Sequence, residues 1–150
     1  MSENENLALQ FNIADIATNE FAIVEEVFKA DTEVGLSTFL DFGFNQENQV
    51  IGVEMKFQFQ HEETPFLIIS VTCAFQIESE TWQSLTDEKE HTLTIPKGFA
   101  SHLAVLTVGT IRGILHEKTR ETPFKDFILP PINLTSLIDE DVVLDLDGSK

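Results

Sequence analysis

Ile51-Gly-Val-Glu-Met-Lys-Phe-Gln-Phe-Gln60 decides the fold, because Ile51, Val53, Met55, Phe57 and Phe59 alternate with glycine and polar residues. Successive side chains of a strand point to opposite faces. One face is therefore dry and the other wet, as in an antiparallel sheet covered on one side only. Upstream, Leu36, Thr38, Leu40, Phe42 and Phe44 repeat the alternation, and the polar residues 45–49 join the two runs as a hairpin loop. Downstream, His61-Glu-Glu-Thr-Pro65 turns the chain into residues 66–77. Leu67, Ile69, Val71, Cys73, Phe75 and Ile77 are apolar there, and Phe66 and Ile68 add apolar even positions, so this run is expected inside the sheet.

The first thirty residues read as one long strand. Leu7, Leu9, Phe11 and Ile13 keep a spacing of two, Ile16 breaks it, and Phe21 and Ile23 restore it, which predicts a bulge near residues 14–16. Residues 29–35 form a polar connection. Residues 83–92 are polar and predicted as a loop.

Pro96-Lys-Gly98 precedes the one long helix, predicted over about residues 99–118. Its main stripe, Ala100, Ala104, Thr107, Val108, Ile111 and Leu115, would pack on the sheet. The opposite side carries Phe99, Leu106, Gly109 and Gly113 with His102 and His116, too little polarity for a solvated face. Each helical glycine costs about 1 kcal/mol relative to alanine, yet lets a second backbone come close. A homo-oligomer is expected, with Leu106, Gly109, Gly113 and His102 at its interface.

Pro123, Pro130 and Pro131 prevent the helix from continuing, because proline lacks the amide donor and restricts its predecessor. An extended apolar connector follows, then one or two helical turns within residues 133–138. The acidic tail from about residue 139 is expected to be a poorly formed helix or disordered. The fold class is thus α+β, a four-stranded antiparallel sheet with one face covered by a long helix and a short C-terminal helix, in a single domain over residues 1–150.

Twenty-six Asp and Glu stand against nine Lys and Arg, a formal net charge of -17. A field of that sign repels phosphate backbones and anionic lipid, so no nucleic-acid partner and no membrane insertion are expected. The acidic first residues do not resemble a signal peptide, which points to a cytoplasmic protein. Cys73 has no second cysteine to pair with.

His61, His91, His102 and His116 show no metal-ligand spacing, and the chain has neither a phosphate-binding glycine loop nor a nucleophile elbow. His61-Glu62-Glu63 reads as exposed turn residues. No catalytic residue, metal or cofactor is expected, and the protein reads as a non-enzyme. Phenylalanine stands out at 13 of 150 residues. Phe28, Trp82, Phe99, Phe124 and Phe127 lie at element ends or in connectors, where rings either fill a core or line a groove for extended peptide.

In this order of elements, Phe11-Asn-Ile13-Ala-Asp-Ile16, Thr64-Pro-Phe66-Leu67, Arg112-Gly113 and Leu129-Pro-Pro-Ile-Asn-Leu134 resemble the SecB family of export chaperones over roughly residues 8–138. The resemblance implies an ATP-independent holdase for unfolded polypeptides, assembled as a dimer of dimers whose long helices lie between two sheets. It implies a peptide groove, placed here on Phe28, Val34, Phe99, Leu103, Phe124, Phe127, Ile132 and Leu137. It also implies a sheet face that docks the translocase motor SecA. Here Glu20 and its neighbour Leu67 align with that face, while apolar Val24 and Ile69 stand where two further acids would be. Two other readings follow: a dedicated chaperone of a toxin-antitoxin pair, and a binder of small apolar ligands between helix and sheet.

Overall fold

The structure, a computed structural model, describes residues 10–148. Leu7 and Leu9, expected in the first strand, and the acidic first residues lie outside that range. The four predicted strands are present as β1 (Phe11–Ile23), β2 (Gly35–Asn45), β3 (Val50–His61) and β4 (Thr64–Ile77). They form one antiparallel sheet in the order β1-β4-β3-β2. The apolar run 66–77 is inside the sheet, as its two-sided hydrophobicity requires.

The β3 alternation behaves as read. Ile51, Val53, Met55 and Phe57 have no exposed surface, and the residues between them are half-buried. Register carries the dry face across the sheet, since Phe57 pairs with Ile69 and Thr38, and Met55 with Val71 and Leu40. Residue 14 of β1 is skipped between Ile13↔Phe75 and Asp15↔Ala74, which is the expected bulge. A second, at residue 19, was not predicted, because Asn19 disturbs no apolar run. A third irregularity leaves Phe66 unpaired between Gln60↔Pro65 and Phe59↔Leu67. A bulge places two consecutive side chains on one side, which is how both Phe66 and Leu67 come to be fully buried.

The dry face is covered by the long helix, α2 (Lys97–Thr119), which lies over β3 and β4. Its buried residues include Ala100, Leu103, Ala104, Thr107, Ile111 and Leu115. α2 is long and apolar enough by composition to cross a membrane, with mean hydropathy 1.3 over its most apolar window. Of that window, 44% is buried in the protein, against the sheet.

Two stretches differ from expectation. Residues 83–92 are not a loop: they contain the end of α1 (Ser79–Leu85), the short strand β5 (Thr86–Asp87) and the start of β6 (Thr92–Ile95). The helical signal was hidden because α1 buries only Thr81, Trp82 and Leu85. Trp82 is thus core, not groove. The tail is not disordered. After the four-residue α3 (Leu134–Leu137), β7 (Val142–Asp145) pairs antiparallel with β6, completing a small sheet ordered β5-β6-β7, and a 3-10 turn follows at Leu146–Gly148. Val142 and Leu144 are half-buried and alternate with exposed Val143 and Asp145. Four residues of alternation are too few to stand out against Asp139, Glu140 and Asp141.

Candidate functional site

The residues expected to line one groove fall into two clusters at opposite ends of β4. Phe99 packs with Phe11, ring centroids 5.5 Å apart, and Phe11 with Phe75 at 5.8 Å. At the other end Phe66 is the centre of a second cluster, with Phe28 at 4.9 Å, Phe127 at 5.2 Å and Phe124 at 6.1 Å. Phe66 and Phe75 are nine residues apart on one strand, so roughly 30 Å separates the clusters. Phe99, Leu103 and Phe124 are buried, so they support the fold and do not line an open groove. Phe28, Phe127 and Ile132 are half-buried, while Val34 and Leu137 are exposed. Phe28 belongs to the crossover that joins β1 to β2 and lies over the second cluster.

His61, read as a turn residue, ends β3 and is built into this region. It stacks on Phe66 at 4.9 Å, its Nδ1 lies 2.9 Å from the Glu33 carbonyl oxygen, and the Lys29 amide donates to its Nε2 at 3.0 Å. With Glu26, Val27, Lys29, Thr32, Glu62 and Thr64 it lines a cavity of about 430 Å³.

The connector after α2 runs back along the helix. Arg112 fastens it, donating from Nε to the Leu129 carbonyl at 2.7 Å and from Nη2 to the Pro130 carbonyl at 2.9 Å. Arg112 and the segment around Leu129, singled out together in the sequence, are therefore in contact. Farther on, the Asp141 side chain accepts from the Lys97 amide at 2.9 Å. The tail has returned to the start of the helix.

That path creates a groove of about 360 Å³ between the sheet and the tail, with Leu40, Asp41 and Phe42 on one wall and residues 137–144 on the other. Each wall includes part of a strand with one unpaired edge, β2 on one side and residues 142–144 of β7 on the other: β2 pairs only with β3, and β7 only with β6, among the described residues. Leu137 (41% exposed) and Val143 (59% exposed) contribute apolar surface to it. Asp41, Asp139, Glu140 and Asp141 contribute carboxylates.

The outward side of α2 is open. At 100° per residue, His102, Val105, Leu106, Gly109, Gly113 and His116 fall within an arc of about 100°. Val105 is 52% exposed, Leu106 is half-buried, and the other four are exposed. Within the protomer the helix is covered on one side. On the same side of the sheet, β1 leaves Ile13 and Ile16 about half exposed (47% and 48%).

Glu20 and Leu67 do not share a surface. Leu67 and Ile69 lie beneath α2 with essentially no exposure, whereas Glu20 is on the opposite, wet face in an ion pair with Lys56 at 3.1 Å. The docking face expected from these two residues is not formed. That wet face also carries Asp41 directly opposite Glu54, whose carboxylate accepts from the Ser70 hydroxyl at 3.3 Å. Among the described residues no group of three or more histidine, cysteine or acidic side chains has the geometry to hold a metal ion. Cys73 is a buried thiol.

No family model matches the chain, no curated protein matches it in sequence, and no solved structure matches it in fold.

Proposed function

We propose that the protein is a SecB-like, ATP-independent holdase that takes up extended polypeptide segments. The observation that carries this reading is the groove between β2 and the tail, two segments that each include a strand with an unpaired edge, with Leu40, Phe42, Leu137 and Val143 as its apolar surface. An extended chain laid there would gain main-chain hydrogen bonds from a strand edge and burial for alternate side chains, with little demand on sequence. Each square ångström of apolar client surface buried contributes about 25 cal/mol. No proton transfer or bond cleavage is required of any residue.

The assembly in this proposal is a homo-oligomer, built on the open stripe of α2. Leu106, Gly109, Gly113 and His102 would face a second copy, and Val105, Ile13 and Ile16 would lose their water with them. The wet sheet face favours a dedicated chaperone, such as the partner of a toxin-antitoxin pair, over a translocase shuttle. Glu20 is ion-paired with Lys56, and of the apolar residues at the two positions where further acids were expected, Ile69 is buried and Val24 half-buried.

The test is aggregation of an unfolded model client, followed by light scattering. An equimolar amount of the assembled protein is expected to suppress it, and Val143→Asp to suppress it less while folding normally. No suppression by the unaltered protein would remove the holdase reading.

A further inference from the structure

We infer that His61 is a proton-operated latch that holds the β1–β2 crossover down over the aromatic cluster. Two backbone groups of the crossover, 28 and 32 residues away in sequence, meet one imidazole ring. Neither leaves its role open. The Lys29 N–H can only donate, so Nε2 must accept; the Glu33 carbonyl can only accept, so Nδ1 must carry the proton. The arrangement therefore needs the neutral ring with its proton on Nδ1.

A second proton on Nε2 would put two N–H groups face to face at 3.0 Å and leave the Lys29 amide without its acceptor. The ring is stacked on Phe66 of β4 at 4.9 Å and lies 5.7 Å from Phe28 of the crossover, so in the proposed device β4 keeps the imidazole while the crossover gives way. Phe28 rides on that crossover, 4.9 Å from Phe66 and 5.2 Å from Phe124. Its departure would uncover both rings.

Two further features belong to the same device. Glu62 beside the histidine occupies the left-handed backbone region at φ 57°, a conformation costing most side-chain-bearing residues about 1 kcal/mol or more, and Asp31 in the crossover occupies it at φ 63°, where aspartate is tolerated. The charged residues around the ring are Glu26 and Lys29 in the same cavity, Asp31 and Glu33 farther along the crossover, Glu62 and Glu63 in the turn, and Lys125 and Asp126 beside Phe124 and Phe127 on the connector. The sign is fixed: the crossover is closed at higher pH and opens as pH falls. The device does not depend on the holdase reading, and its test does not measure client binding.

Amide hydrogen exchange, corrected for the intrinsic pH dependence of exchange, tests it between about pH 8 and pH 5.5, the range in which imidazoles ordinarily change charge. Protection of the Lys29 amide is expected to fall about tenfold, the scale of one lost hydrogen bond, while Met55 and Val71 in the central strands keep theirs. His61→Gln supplies an acceptor and a donor without a titrating group, and should remain closed throughout. His61→Phe keeps the ring and loses both bonds, and should be open throughout. The latch is overturned if Lys29 protection is flat in the unaltered protein, if His61→Gln follows the same pH profile, or if β3 and β4 lose protection in parallel.

Discussion

At the scale of single residues, burial separates phenylalanines that the sequence could only count together. Phe66 and Phe39 are both strand residues, but Phe66 has no exposed surface and touches a ring cluster, whereas Phe39 is 50% exposed on the wet face opposite Lys56. Phe66→Ala is expected to cost about 3–5 kcal/mol, from lost transfer energy plus the cavity left among rings that cannot collapse together. Phe39→Ser should stay within roughly 0.5 kcal/mol, since no contact that excludes water is broken. Urea unfolding of the two variants checks both values. Equal costs would mean that the bulge at Phe66 does not turn the ring inward.

At the scale of elements, the strands were legible because period-two alternation is a local property, and in Ile51 to Gln60 it runs unbroken for ten residues. The small sheet was not, because β6 and β7 are four residues each and about fifty residues apart, and their pairing is a tertiary event. Of the residues expected to line one groove, only Leu137 lines the groove beside the tail, and the rings expected with it lie elsewhere. Phe99 and Phe124 are neighbours of the right elements, yet the length of β4 puts them at opposite ends of the sheet. The ties that return the tail were equally invisible, since an arginine near the end of a helix and an aspartate in an acidic run have many ordinary uses.

Those ties make predictions at the element scale. Pro96, the residue that precedes α2, offers no side-chain cap, and Asp141 supplies one from the other end of the chain. Asp141→Ala is expected to cost about 1 kcal/mol, as for a lost N-cap, and Asp141→Asn less, because the amide oxygen still accepts. Thermal unfolding reads both. Arg112→Lys keeps the charge but not the planar fork that reaches two successive carbonyls. The connector should then be cut faster by limited proteolysis between residues 120 and 133, with α2 intact. A connector no more sensitive than before would mean that Leu129 and Phe124, both buried, hold it without the arginine.

At the scale of the whole molecule, the distribution of charge makes the open stripe of α2 unusual. The chain carries a net charge of -17, yet from Gly98 to His116 its only charged residue is Arg112, and that side chain is committed to the connector. Like-charged copies repel each other everywhere except where carboxylates are missing, so a surface without them is where two copies can meet at least cost. Gly109 and Gly113 give a test whose sign depends on whether they do. A methyl group added at either glycine would meet no atom of this chain within 4 Å beyond its sequence neighbours and the backbone of its own helical turns. In an isolated protomer, Gly109→Ala with Gly113→Ala should therefore stabilise the helix by about 0.5–1 kcal/mol at each site, because glycine loses more backbone freedom on folding. In an assembly that brings a second helix against those glycines, the same methyl groups hold the backbones apart and weaken association. The double variant is expected to shift toward smaller species in light scattering coupled to size-exclusion chromatography, while its protomers melt at a higher temperature. A higher melting temperature with no change in assembly would remove α2 as the contact and leave the exposed Ile13 and Ile16 of β1 as the apolar surface where copies join.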